Sequence, residues 1–93
     1  MERIQLLHPE GKKAPTMDRA KYEALKAVLS RCLKTRKTAS FDELLADVAA
    51  DLKNNNMKIP GVLRWNLFWV TLDMEANNLL KRNKKVSQHQ YTI

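Results

Sequence analysis

Ninety-three residues, 44% apolar and 29% charged, make a single domain over 1–93 with one modest core, too small for two cores and too apolar for global disorder. A lone cysteine excludes an internal disulfide, no apolar run approaches the length of a membrane span, and the N-terminus lacks the apolar stretch of a signal peptide, so a reducing cytoplasm is expected. The formal charge of +7 is uneven: residues 18–37 carry seven basic groups against two acidic ones, residues 38–53 are acidic, and the C-terminus adds Lys81, Arg82, Lys84 and Lys85.

Arg3 to Leu7 alternates weakly, with Ile4 and Leu6 on one side, and runs into His8-Pro9. The residue before proline is pushed to extended geometry, which predicts a short N-terminal strand. Glu10 to Pro15 is a loop by composition.

A first helix is predicted from Asp18, a good N-cap, with Met17 placed to pack on Tyr22 as a hydrophobic staple. Tyr22, Leu25, Val28, Leu29, Cys32 and Leu33 recur at three- and four-residue spacings and form one apolar stripe. Lys34 to Lys37 suits the negative end of that helix. Thr38-Ala39-Ser40 is a connector able to donate a very short strand. Ser40 with Glu43 has the spacing of a capping box, and Phe41, Leu44, Leu45, Val48 and Leu52 form the inner face of a second helix. Its acidic residues cluster early, opposite the positive end of the dipole. Asn54-Asn55-Asn56 ends it, because Asn tolerates left-handed backbone.

Pro60-Gly61 turns the chain into a third helix, roughly residues 62–77, whose apolar residues occupy two stripes. Val62, Trp65, Trp69, Leu72 and Ala76 lie on one, and Leu63, Leu67, Val70 and Met74 on the other, with Phe68 beside the first. So wide an apolar surface needs cover beyond the first two helices, from the N-terminal strand, a hairpin or a second subunit. Asn77-Asn78 stops the helix. Residues 79–83 and 86–93 then read as two strands around Lys84-Lys85, with Leu80 meeting Tyr91 and Ile93 across the pair.

This order predicts an α+β, winged-helix-like fold: three helices, a C-terminal β-hairpin or wing, and a short N-terminal strand. The run Ile4-Gln-Leu-Leu-His-Pro-Glu-Gly11, the helix from Tyr22, the run Trp69 to Ala76 and the closing Leu79-Leu80-Lys81-Arg82 resemble a group of small, uncharacterised bacterial proteins of winged-helix type. The resemblance covers nearly the whole chain and departs at Asn78, where that group often has Gly. It implies a fold and brings no catalytic or binding residues with it.

Catalysis finds little support. Asp73 and Glu75, two positions apart on a helix, point to different faces and are expected to be solvated. Cys32 on an apolar stripe reads as a small core residue, and burial raises a thiol pKa. His8 and His89 have no second ligand at metal spacing, and two glycines build no phosphate loop. A non-enzymatic protein with no cofactor, metal or small-molecule substrate is expected.

Double-stranded DNA is the first expected partner. In a winged helix the third helix enters the major groove and the wing touches backbone. Lys81, Arg82, Lys84 and Lys85 would meet phosphates, while Arg64 and Asn66 would reach base edges. Four phosphate contacts imply a log–log salt slope of about −3.6. Against this, the third helix is electrically neutral and apolar nearly all round. The alternative is a protein-interaction or homodimerisation module using Trp65, Phe68 and Trp69 on that helix.

Overall fold

Two apolar stripes define the interior. Tyr22, Leu25, Val28, Leu29 and Leu33 are buried along α1 (Arg19–Arg36), and Leu44, Val48 and Leu52 along α2 (Phe41–Asn54). Leu67, Val70 and Met74 of α3 (Leu63–Ala76) close on them to make one core. The chain, seen in a computed structural model, is described over residues 2–59, 61–83 and 90–92. It is α+β, with three helices and two small antiparallel sheets among the described residues.

Local chemistry sets the helix boundaries. The Asp18 carboxylate accepts from the Lys21 N–H, and Met17 and Tyr22 on either side of that cap are both buried. Lys37 ends α1 at φ 70°, its N–H returned to the Leu33 carbonyl. The capping box of α2 is reciprocal: Ser40 Oγ accepts from Glu43 N and Glu43 Oε1 accepts from Ser40 N, at 3.2 and 3.0 Å. Asn56 and Asn78 take positive φ, 53° and 61°, where α2 and α3 stop. Asn78 thus takes the left-handed position that glycine commonly fills after a helix.

The first sheet pairs β1 (Arg3–Gln5) with β2 (Thr16–Asp18), with Ile4 opposite Met17. The expected N-terminal strand is present, and β2, which follows the loop and was not expected, is its partner. Three-residue strands are too short for period-two alternation to register. The return is held by polar contacts instead: Gly11 takes φ 74°, and the Gln5 amide donates to the carbonyls of Ala14 and Pro15. Leu6 and Met17 from this pair enter the core.

The second sheet has the order β3-β5-β4, from β3 (Thr38–Ser40), β5 (Gln90–Thr92) and β4 (Lys81–Asn83). Ala39 and Arg82 both oppose Tyr91. Leu80 and Tyr91 are buried together in the core. The connection expected to form the wing tip, with Lys84, Lys85, Val86 and His89, lies outside the described residues, as do Pro60 and Ile93.

Candidate interface on the third helix

α3 begins without a side-chain cap at Val62. Gly61 ahead of it holds φ 90°, and a Cβ there would stand 3.1 Å from Asn66 Nδ2, so both the backbone angle and the close approach favour glycine. Asn66 is only 2% exposed, and its amide donates to the Val62 carbonyl at 2.9 Å. It therefore lies inward. The expectation that Asn66 reaches base edges is corrected: the side chain belongs to the packing beneath the helix start.

Outward from the same turns lie aromatic rings. Trp65 is 50% exposed and Phe68 42%, with Val62 at 68% one turn earlier. Trp69, half-buried, is the hub: its ring centroid lies 6.3 Å from Trp65, 6.0 Å from Phe68 and 6.2 Å from His8, each pair edge-on. Phe41, the first residue of α2, continues the chain of rings at 6.1 Å from Phe68. The Arg64 guanidinium stacks 5.7 Å from the Phe41 ring centre and lies 3.3 Å from the Asp42 carboxylate. The three aromatic residues expected to serve an interface are thus brought together with Val62 of the same stripe, and Phe41, His8 and Asp42 join them unforeseen. Phe41 was expected on the inner face of α2 and is only half-buried. Its place as the residue after the Ser40 cap, where the helix turns toward α3, was the available signal.

The other half of α3 is enclosed, which corrects the expectation for its carboxylates. Asp73 is 4% exposed. Its Oδ1 accepts from Leu7 N at 2.9 Å and its Oδ2 from the Tyr22 hydroxyl at 2.5 Å, so one carboxylate ties the N-terminal segment and α1 to α3. Burial first, and then the bond to Asp73, push the Tyr22 hydroxyl pKa far up. Glu75 Oε1 lies 3.2 Å from Arg82 Nε, with only 16% and 13% of the two side chains exposed. Glu75 Oε2 and Arg82 Nε still find no hydrogen bond among the described residues. Arg82, expected to meet phosphate, instead faces this carboxylate. Burial raises the neighbouring Tyr91 hydroxyl pKa, against smaller opposing effects of Arg82 and Thr71.

The remaining basic groups divide into two classes. On α1, Arg31 pairs with Asp51 at 2.8 Å, and Arg36 bridges Asp47 and Glu43 across an open cleft of about 560 Å³. Cys32 lines that cleft half-buried, rather than enclosed; burial and then Asp47 and Asp51 push its thiol pKa up, which suits neither a nucleophile nor a metal ligand. Lys34, Lys37 and Lys81 are exposed and make no ion pair among the described residues. Lys84 and Lys85 lie outside those residues. Among the described residues no three His, Cys, Asp or Glu side chains gather to hold a metal ion, and no helix is long and apolar enough to cross a membrane.

Compared with known proteins, residues 3–91 match the model of a family of unknown function, DUF6958. No curated protein and no solved structure matches.

Proposed function

The chain belongs to the family of unknown function DUF6958, and we propose that it is a non-enzymatic protein-association module of winged-helix type that docks through the outer face of α3. The winged-helix reading is supported by three helices with β3 between the first two and a sheet ordered β3-β5-β4. The observation that carries the function is the pair Trp65 and Phe68, each left near half-exposed on one continuous array of rings. Rings that serve folding alone finish inside, because exposed apolar surface forgoes about 25 cal/mol per Å². Contiguous exposed aromatic surface with a polar rim is the composition of a protein interface.

DNA binding is the second reading, favoured by exposed Lys81 and by Lys84 and Lys85 in the segment joining β4 to β5. It is weakened by Arg82 facing Glu75, by inward Asn66 and by an aromatic rather than basic helix face. With Arg82 withdrawn, the expected log–log salt slope drops to about −2.7.

A photoreactive phenylalanine analogue at Phe68, irradiated in cells, tests the choice. The expected product is a covalent adduct with a polypeptide. Adducts with nucleic acid alone, or none, would reject association and, in the former case, install DNA binding in its place.

A further inference from the structure

We infer that the occupant of the α3 face is a second copy of this chain, in an isologous dimer; this rests on the association reading and names its partner. Three observations lead there. The first is charge. The chain carries +7, and Lys34, Lys37 and Lys81 stand exposed without an ion pair among the described residues, so most approaches of one copy to another are repulsive. The aromatic face differs: a cation and an anion, Arg64 and Asp42, stand 3.3 Å apart beside it. A pair of one positive and one negative group is complementary to itself under a two-fold axis, each Arg64 turning toward the partner's negative charge. A polyanion or an acidic protein finds better complements on α1 than here.

The second observation is area. Val62, Trp65 and Phe68 together leave roughly 300 Å² of side chain in water, taking about 150–250 Å² for a whole aromatic ring. A standard interface covers about 800 Å² per partner, with an apolar centre and a polar rim. The rings supply such a centre, and the Arg64–Asp42 pair with neighbouring polar surface supplies the rim. The third is shape. Trp65, Phe68 and Trp69 recur at three- and four-residue spacing on one helix, the ridge that packs into the groove of an identical helix.

The experiment uses light scattering behind gel filtration on the full chain, at tens to hundreds of micromolar. Wild type should elute at twice 10.8 kDa. Arg64→Asp makes both members of the pair negative and Asp42→Arg makes both positive; each variant alone should elute as a monomer, and an equimolar mixture should restore the dimer. Both sites are exposed, and an unchanged circular dichroism spectrum with a cooperative melt in dilute solution will establish that each variant folds. A monomeric wild type, or a dimer that survives both single substitutions, overturns the inference. If wild type is monomeric while the Phe68 crosslink still captures a different polypeptide, the association reading stands and only the identity of the occupant fails.

Discussion

From Leu63 to Trp69, α3 turns Trp65 and Phe68 outward into water, whereas from Val70 to Met74 every residue is buried, including Thr71 and Asp73. Both halves come from one apolar run, so composition does not separate them; their covers do. The N-terminal segment reaches the second half through Leu7 N–H on Asp73, and the sheet reaches it through Arg82 on Glu75. Among the described residues, the outer side of the first half is crossed only by ring contacts of His8 and Phe41 and by the exposed Arg64–Asp42 pair. The second half therefore holds a carboxylate inside the protein, while the first, which also buries Asn66 and Leu67, leaves two aromatic rings half outside it. The enclosed carboxylate serves the fold; the half-exposed rings are the surface the proposed association would use.

The strongest way to break that contrast is Asp73→Ala. It leaves the buried Tyr22 hydroxyl and the part-buried Leu7 N–H without their acceptor. At about 1–3 kcal/mol for each orphaned group, the loss should be about 3–4 kcal/mol in urea unfolding, a large part of the stability of a chain this size. A loss under about 1 kcal/mol would show that the carboxylate is not a structural tie.

The Glu75–Arg82 pair comes next. Arg82→Ala should cost about 3 kcal/mol, because it strands a carboxylate whose Oε2 already lacks a hydrogen bond among the described residues. Replacing both partners together, Glu75→Leu with Arg82→Met, should recover most of that loss, since a well-packed apolar pair commonly does as well as a buried ion pair. If the double variant is no better than Arg82→Ala, the pair orients the sheet and does more than neutralise charge.

Tyr22→Phe is smaller, about 1.5–2 kcal/mol at neutral pH for one bond to a charged acceptor. Its pH dependence carries more information. The Tyr22 hydroxyl pKa is raised on folding, so its contribution is complete below the unfolded value near 10 and fades as pH rises above it. The wild-type advantage over Tyr22→Phe should therefore shrink above about pH 10, and thermal melts of both proteins between neutral and alkaline pH measure it. Lysine and Tyr91 titrations are common to the two proteins and cancel in the difference. A gap constant up to the alkaline limit would mean that the hydroxyl is not held as its geometry indicates.

How much of this was legible beforehand follows from the range of the signals. The capping box at Ser40 and Glu43, the stripe from Tyr22 to Leu33 and the Asn78 stop are local, and local spacing located them. The wide apolar surface of α3 was also legible, together with its need for cover. Which half received cover was not, because Leu7 and Asp73 are joined across sixty-six positions, and nothing in either neighbourhood encodes the other. One hint lay in Tyr22: a tyrosine on an apolar stripe brings a hydroxyl that must find an acceptor, and Asp73 is the carboxylate embedded in the most apolar run. Arg82 was read as a phosphate contact because charge alone cannot distinguish a solvated arginine from one turned toward a buried carboxylate. Asn66 likewise sits at a position where helix order points to a groove, while its amide is committed to the Val62 carbonyl.

The smallest expected effect on stability sharpens the contrast most. Trp65→Ser and Phe68→Ser remove large rings, and in a core each would cost about 3–5 kcal/mol. On the outer face, with about half of each ring already in water, the loss in dilute monomer should be much smaller, within about 1 kcal/mol, because little apolar surface changes its environment. The residual cost measures the edge-on contacts with Trp69 and Phe41. Association should respond in the opposite sense: the same substitutions, nearly silent in dilute urea unfolding, should abolish the dimer expected at high concentration. A ring needed by the fold would show both losses together. A ring that is mere surface would show neither, and only a ring at an interface separates the two readouts.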